Sequence, residues 1–236
     1  MTDVKVVAVG DYGVGKSSLL MRFAYGTAAV RTEIGGPEDY TPHVMDNTIV
    51  LFQLPGGGAV SLGLWDTGGA EDYWRLRPLS YPQTSIFLLF FSVEDRESFD
   101  HVVADCPTVC PGDGLGWRDE LQQTPRFVKA FGSRSEAILM GGESCEKWLP
   151  PLLAMYRGVP VGLVGLKSDL RAQGKATVSL EEAQQRAQEI GAAFYAECSA
   201  TTGEGVEQLF ERAGREAIAH QTGAATRTKG KKCTLL

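Results

Sequence analysis

The sequence predicts an α/β fold whose sheet is mainly parallel, and three observations indicate this class. Strand-like and helix-like segments alternate along most of the chain, as strand–helix–strand units require. Residues 85–93 form a continuous apolar run, which is typical of a strand covered on both faces. A glycine-rich loop joins the first strand-like segment to the first helix-like segment. Together these features favour a central sheet with helices on both faces.

The individual elements can be taken in chain order. Residues 4–9 are the first predicted strand, and residues 16–25 are the first helix, with Leu19, Leu20 and Phe23 on one face. Segments 48–54 and 60–65 flank Pro55-Gly56-Gly57-Gly58 and therefore predict an antiparallel hairpin. Ser179, with Glu182 at the capping-box position, predicts the start of a helix that runs to about residue 190. The remaining predictions are strands at 85–93, 161–166 and 192–197 and a last helix at 205–219.

Length and composition set the broad class. The 236 residues are enough for one well-formed core, and 43% hydrophobic with 22% charged residues is ordinary for a globular protein. The net charge of −6 gives no general attraction to nucleic acid. The first strand begins by Val4, so we expect no signal peptide, and the longest apolar run, residues 86–91, is too short to span a bilayer. Five cysteines predict reduced cytosolic thiols.

One segment, from about residue 103 to residue 145, interrupts the alternation. It holds several Gly and Pro residues, has no clear periodicity, and offers room for one short helix near residues 117–123. A loop of roughly 40 residues is unusual in a compact domain, so we predict a surface insertion, with a retained intron as the alternative. His101, Cys106, Cys110 and Cys145 could ligate Zn²⁺, but their spacing matches no standard site and favours free thiols.

The strongest motif is Gly-Asp-Tyr-Gly-Val-Gly-Lys-Ser at residues 10–17, which has the G-x-x-x-x-G-K-S pattern of a phosphate-binding loop. Gly10 and Gly15 let the backbone approach a polyphosphate, and successive N–H groups form an anion nest at a helix N-terminus. Lys16 would reach the β- and γ-phosphates, and the Ser17 hydroxyl suits Mg²⁺. The alternative is a glycine-rich turn. The predicted loop contacts to nucleotide are Asp11, Tyr12, Gly13, Val14, Gly15, Lys16, Ser17 and Ser18.

Three shorter motifs follow later strands. Asp66, in Trp65-Asp66-Thr67-Gly68-Gly69, could hold Mg²⁺ through water, and Gly69 would let a backbone N–H approach the γ-phosphate. Asp169, in Lys167-Ser168-Asp169, can accept hydrogen bonds from N1–H and the 2-amino group of guanine, and Lys167 can lie along the base. An ordinary strand–helix turn is the alternative for each. Leu170 is assigned to the same base site, together with Ser199 and Ala200, whose backbone can meet the base O6.

With these motifs the chain resembles the Ras superfamily of small GTPases, and within it the Rho/Rac branch. Trp65 before Asp66, residues 71–84, Ser98-Phe99 and Lys147-Trp148 carry the resemblance, which covers almost the whole chain outside the insertion and the loop at 26–37. It implies a GTPase domain at 1–220 with a mostly parallel six-stranded sheet, one antiparallel strand and about five helices. It also implies GTP/GDP and Mg²⁺ as ligands and a switch role in actin, polarity or traffic. The extra Rho helix before Ser179 is missing, because residues 170–178 are too few to hold it.

Four residues depart from the family pattern at the nucleotide site. Tyr12 replaces a Gly and would point toward the γ-phosphate and the path of an arginine finger, and Ala70 replaces the Gln that orients the attacking water. His43 replaces the Thr that binds Mg²⁺, and imidazole is a poorer ligand for that ion. Leu166 replaces Asn or Thr in the base motif. Lys16 remains as the catalytic cation.

The departures leave more than one interpretation open. The first is a Rho-type GTPase that binds GTP but hydrolyses it slowly. The second is a nucleotide-free pseudo-GTPase that acts as a protein-interaction module. A P-loop kinase or ATPase is a third, and Asp169 argues against it because adenine cannot supply the two donors that Asp169 would accept. The retained Lys16, Ser17, Asp66, Gly69 and Asp169 favour the first.

The resemblance also predicts partners and a membrane location. Effectors, an exchange factor and a Rho dissociation inhibitor are the expected partners, a monomer is the usual state, and the matching surface positions are Tyr40, Asp46, Trp65, Tyr73, Arg75 and Leu76. At residues 221–236 a basic tail ends in Cys233-Thr234-Leu235-Leu236, which predicts geranylgeranylation of Cys233. One prenyl chain plus a basic patch gives a stable anchor on the cytoplasmic face of the plasma membrane or endomembranes, beside a cytosolic pool. The alternative is a solvated tail.

Overall fold

The computed structural model describes residues 2–26, 47–55, 58–69, 77–102, 152, 156 and 158–223. Its centre is one six-stranded sheet with the strand order β2-β3-β1-β4-β5-β6. The strands are β1 (Thr2–Gly10), β2 (Thr48–Gln53), β3 (Ala59–Trp65), β4 (Ile86–Ser92), β5 (Val161–Leu166) and β6 (Phe194–Cys198). The helices are α1 (Lys16–Tyr25), α2 (Arg96–His101), α3 (Asp169–Ala172), α4 (Leu180–Glu189) and α5 (Val206–Gln221), with a 3₁₀ turn at Arg77–Ser80.

Only β2 runs antiparallel to its neighbour. It pairs with β3 across the predicted hairpin, with Thr48 opposite Leu64 and Gln53 opposite Ala59. Strand β1 lies between β3 and β4 and is parallel to both, and β5 and β6 continue the sheet in parallel. The predicted mostly parallel, six-stranded sheet with one antiparallel strand is therefore confirmed.

The sheet has an apolar cluster on each face. On one face, β1 and β3 side chains pack against α1 and α5, where the rings of Phe23 and Phe210 stack 3.9 Å apart. On the other face, Phe87, Phe91 and Tyr195 pack with α2 and α4 side chains such as Phe99 and Ala183. Strands β4 and β5 are buried along their whole length because both faces are covered.

Two of the helices begin at side-chain caps. Ser179 Oγ accepts a hydrogen bond from the Glu182 backbone N–H, so the predicted N-cap of α4 is confirmed. Asp95 caps α2 in the same way, accepting from the backbone N–H groups of Glu97 and Ser98. Among the residues described, no helix is long and apolar enough to cross a membrane.

The predicted elements differ from the observed ones mainly at their ends. Strand β1 begins two residues earlier than predicted, at Thr2, and α5 continues to Gln221. The sequence analysis named no helix at 96–101 or at 169–172, and both are too short to produce a helical period. The single turn of α3 is the only helix between β5 and α4, so the short 170–178 segment holds no longer helix. The predicted insertion at about 103–145, with its helix near 117–123, and the tail lie outside the residues described.

Candidate nucleotide-binding site

The predicted motifs meet at one edge of the sheet. Strands β1, β3, β4, β5 and β6 run parallel, so their carboxyl ends lie side by side. The glycine-rich loop follows β1, the Asp66 motif follows β3, the Asp169 motif follows β5, and Ser199-Ala200 follows β6. In open α/β sheets this edge is where ligands bind.

Lys16, the first residue of α1, is almost completely buried beside the glycine-rich loop. Its Nζ donates a 2.6 Å hydrogen bond to the Asp11 carbonyl oxygen. Burial lowers the pKa of Lys16 to about 8; Asp66 and Asp11 oppose this shift, and Arg77 adds to it. A buried ammonium at the start of α1 is suited to a polyanion such as a phosphate group.

Ser17 and Asp66 join the glycine-rich loop to the end of β3. The Ser17 hydroxyl donates a hydrogen bond to Asp66 Oδ2. The next residue, Thr67, is buried and its hydroxyl donates to the Ala8 carbonyl oxygen of β1 at 2.6 Å. A hydroxyl and a carboxylate held together are hard oxygen donors, and this donor set fits Mg²⁺.

Two glycines are required by close backbone contacts. A Cβ at Gly69 would lie 2.4 Å from the Tyr12 nitrogen and 2.6 Å from the Asp11 oxygen, so Gly69 packs directly on the Asp11–Tyr12 peptide. A Cβ at Gly10 would lie 2.3 Å from the Phe90 carbonyl oxygen of β4. Close approach of the backbone to phosphate is the reason predicted for Gly10, and the neighbouring strand also excludes a side chain there.

Leu166 gives the base motif an apolar contact with the glycine-rich loop. Its side chain is buried in the same apolar cluster as Val14. Its Cδ1 would lie 3.7 Å from a Cβ built on Gly15, which is ordinary van der Waals range. Leu166, which replaces the family's Asn or Thr, is therefore an apolar neighbour of the glycine-rich loop.

The Asp169 and Ser199 motifs are joined by a direct hydrogen bond. Ser199 Oγ donates to Asp169 Oδ1 at 2.6 Å, and it accepts a 3.1 Å hydrogen bond from the Thr202 backbone N–H. The Ser168 N–H also donates to the Cys198 carbonyl oxygen at 3.2 Å. Asp169 is therefore held by the loop that follows β6, although 30 residues separate it from Ser199.

Lys167 is held by a residue that the sequence analysis did not select. Its Nζ forms a 2.6 Å ion pair with Glu94, which follows β4. The Lys167 backbone has a φ of 61°, a conformation that is uncommon for a lysine and that occurs often at functional sites. Nothing in the sequence near Glu94 indicated this pair, since the two residues are 73 positions apart.

The glycine-rich loop carries two further side chains of interest. Tyr12 is 52% exposed, so its ring adds bulk at the surface of the loop beside Gly69. The Asp11 carboxylate Oδ2 lies 2.6 Å from Nδ1 of His101, the last residue of α2. From the sequence, His101 was predicted only as a possible zinc ligand. Among the residues described, no three His, Cys, Asp or Glu side chains group as a metal site.

Several predicted site residues lie outside the part of the chain that the structure describes. They belong to segments 27–46 and 70–76, to the predicted insertion, or to the predicted tail. They are Tyr40, His43, Asp46, Ala70, Tyr73, Arg75, Leu76, Cys106, Cys110, Cys145 and Cys233. Trp65 is described, and its ring centroid lies 3.5 Å from Lys5 Nζ.

The order of strands and the loop after β1 define the class of phosphate-loop nucleotide-binding proteins. Comparison with known proteins narrows the class. The family model described as Ras family matches residues 5–110 and 142–219. The gap at 111–141 falls inside the predicted insertion.

Relatives at about one-third identity are Rho proteins. The GTP-binding protein RHO1 of Candida albicans is 37% identical over 242 aligned residues, covering 98% of this chain and 95% of that protein. RHO1 of Saccharomyces cerevisiae is 34% identical, with coverages of 98% and 95%. The GTP-binding protein rho5 of Schizosaccharomyces pombe is 34% identical, with coverages of 98% and 96%. The chain belongs to the Ras family of small GTPases, in its Rho branch.

Proposed function

We propose that this chain is a Rho-type switch that binds GTP and GDP and hydrolyses GTP slowly. The observation that carries the proposal is the paired arrangement at one edge of the sheet. Ser17 is hydrogen-bonded to Asp66 next to the buried Lys16. Asp169 is hydrogen-bonded to Ser199 where β5 and β6 end. The first pair suits phosphates and a divalent cation, and the second suits a base with two adjacent donors.

The residues divide by the part of the nucleotide that each would bind. Backbone N–H groups of residues 11–18 and of Gly69 would bind the phosphates together with Lys16 Nζ. Ser17 would ligate Mg²⁺ directly, and Asp66 would do so through water; Mg²⁺ supplies charge neutralisation at the β- and γ-phosphate oxygens. The base would be bound by Lys167, Asp169, Leu170, Ser199 and Ala200.

Slow hydrolysis is inferred from three residues that replace the family's catalytic groups. The exposed Tyr12 ring would obstruct the approach of an arginine finger, and losing that finger would forfeit roughly 10³–10⁵ in rate. Ala70 has no group that can orient water, and His43 is a poor Mg²⁺ ligand. The phosphate-binding residues are retained while the groups that assist hydrolysis are replaced.

Nucleotide content tests the binding half of the proposal. The full chain is purified with Mg²⁺ present, denatured, and its released nucleotides are separated by chromatography. We expect GDP and GTP at close to one per chain. Retained ATP would instead support a P-loop kinase or ATPase, and absence of nucleotide would support the pseudo-GTPase module.

Single-turnover hydrolysis tests the catalytic half. Wild type should hydrolyse bound GTP at or below the basal rate of unaided GTPases, with no acceleration by a Rho-type activating protein. The double variant Tyr12→Gly with Ala70→Gln should respond to that protein, since both the approach and the water-orienting group return. Strong acceleration of the wild type would contradict the proposal.

Membrane anchoring is part of the same proposal. A geranylgeranyl group on Cys233 and the basic residues before it would hold the chain at the cytoplasmic face of a membrane, where effectors and regulators are met. Cys233→Ser should move the full chain to the cytosolic fraction, while the neighbouring Thr234→Ser should not. Membrane association that persists in Cys233→Ser would refute the anchor.

A further inference from the structure

We propose that His101 is a positioning residue for the glycine-rich loop and that, acting through Asp11, it slows the dissociation of nucleotide. This inference rests on the proposed function, because it concerns the retention of the nucleotide that the site would bind. The starting observation is the 2.6 Å contact between His101 Nδ1 and Asp11 Oδ2, which joins α2 to the loop across 90 positions of sequence. Both side chains are partly buried, at 23% and 21% exposure, so water competes only weakly for the contact.

His101 projects from a firmly supported helix. Asp95 caps the start of α2, and the Ser98 hydroxyl accepts a 3.0 Å hydrogen bond from the Ser92 backbone N–H of β4. Phe99 is fully buried, with its ring centroid 4.8 Å from that of Phe91. The helix is therefore fixed to β4 at two successive residues, and this support defines the position of the imidazole.

Asp11 is the residue on which the loop contacts converge. Its carbonyl oxygen accepts the hydrogen bond from Lys16 Nζ, and its peptide is packed against Gly69. A shift of Asp11 would therefore move the oxygen that orients the Lys16 ammonium. His101 contacts the carboxylate of the same residue, so it fixes the Lys16 ammonium indirectly, through Asp11.

The charge of the Asp11 carboxylate gives a second reason why the His101 contact should favour nucleotide retention. The Asp11 carboxylate is a negative group in a loop that would receive phosphates, and an N–H donor from His101 offsets part of that charge. On its own helix His101 also faces Glu97, whose Oε1 lies 3.9 Å from Nε2. Without the imidazole, the Asp11 carboxylate would repel a bound polyphosphate more strongly and the loop would be less ordered. Both effects predict faster release.

The experiment measures dissociation of a fluorescent GDP analogue from the full chain after addition of excess GDP. His101→Ala should release the analogue roughly tenfold faster than wild type, with association changed less than threefold, since a charge-assisted hydrogen bond is lost. His101→Asn keeps an N–H donor near the position of Nδ1 and should restore most of the retention. His220→Ala, on α5 away from the loop, is the matched histidine control and should match wild type.

A double-mutant cycle separates positioning from a general loss of stability. In an Asp11→Asn background, His101→Ala should change the release rate by less than twofold, because the carboxylate through which His101 acts is gone. An equal effect of His101→Ala in both backgrounds, or no effect in either, would overturn the inference while leaving the proposed function intact. Wild type that binds no guanine nucleotide would overturn the proposed function itself.

Discussion

At the scale of single residues, the buried charge of Lys16 is expected to lower the stability of the empty protein and to strengthen phosphate binding. Its side chain is buried, its Nζ donates a hydrogen bond to the Asp11 carbonyl oxygen, and burial is the main cause of its low pKa. A buried cation destabilises the protein when no anion is bound, and it strengthens phosphate binding when one is. Sites that bind tightly are commonly less stable in the empty state for this reason.

The pH dependence of stability tests this interpretation. The pKa of Lys16 is about 8 in the folded protein and 10.5 ordinarily, so between these values the unfolded chain binds more protons. Its contribution to the free energy of unfolding therefore rises with pH in that interval. Nucleotide-free Lys16→Met should be about 1–3 kcal/mol more stable than wild type at pH 7, and the difference should shrink by pH 10.

Urea denaturation at several pH values provides the measurement. Lys175→Met, at an exposed lysine of the loop after α3, is the matched control and should change stability little. A Lys16→Met protein that is less stable than wild type at pH 7, or a difference that does not vary with pH, would argue against the buried-charge explanation.

In the proposed site, Asp169 is the residue on which base specificity would depend. Its two carboxylate oxygens would accept from the N1–H and 2-amino groups of guanine, and Ser199 holds one of them in place. Asp169→Asn replaces one acceptor with a donor, which suits the 2-oxo group of xanthine. We expect GDP affinity to fall at least about 100-fold and xanthosine diphosphate affinity to rise, as measured by competition. Asp3→Asn, at the opposite end of β1, should change neither.

At the scale of elements, one ion pair fixes the short connection from β5 to α4. The Arg171 guanidinium of α3 binds Glu197 of β6 through two hydrogen bonds of 2.7 and 2.6 Å. A third, of 2.7 Å, goes to the Val178 carbonyl oxygen, and the Tyr195 hydroxyl donates to the same carboxylate. This bidentate pair holds α3, and with it Asp169, against the edge of the sheet.

Removing Arg171 should therefore weaken both the fold and the base site. Arg171→Ala leaves the Glu197 carboxylate, which is mostly buried, without its main partner. We expect a loss of about 2 kcal/mol, or roughly 4–8 °C in Tm, together with weaker nucleotide binding. Arg96→Ala, which breaks exposed pairs with Asp100 and Glu182, should lower Tm much less. Equal effects of the two substitutions would contradict this assignment.

The elements that the sequence predicted are those with a long apolar pattern. A periodic pattern or a continuous run of apolar residues can be recognised from the local sequence alone in strands β4 and β5 and in helices α1, α4 and α5. Helix α2 has only six residues, and its cap at Asp95 was the one local signal for it. Contacts such as Asp11 with His101, or Lys167 with Glu94, join residues far apart in sequence and depend on the assembled sheet. The motifs thus predicted which strand ends come together at one edge of the sheet, while the second residue of each contact required the structure.

At the scale of the whole molecule, we expect the segment between the two parts of the family match, residues 111–141, to be dispensable for folding of the sheet. The six strands that the structure describes belong to the two stretches that the family model matches, residues 5–110 and 142–219, apart from the first residues of β1. Loop length has only a small effect on stability, because closure entropy grows logarithmically. The domain proposed for residues 1–220 should therefore fold without this segment.

Replacing residues 111–141 with a short Gly/Ser linker tests that expectation. The shortened protein should unfold in a single transition with Tm within about 5 °C of wild type, and it should retain guanine nucleotide. A broad transition or loss of bound nucleotide would mean that the segment is part of the folded domain. Calorimetry and nucleotide analysis on matched preparations give both readouts.

The strand order has a consequence for synthesis on the ribosome. Four neighbouring strands, β2, β3, β1 and β4, are complete once Ser92 has emerged, while β5 begins only at Val161. At roughly 5–20 residues per second, the ribosome needs several seconds to supply the intervening chain. During that delay the newly made β4 has an open hydrogen-bonding edge and an apolar surface. A nascent protein that pairs its strands at this stage would have four of the six strands in place, and a chaperone would have most to cover then.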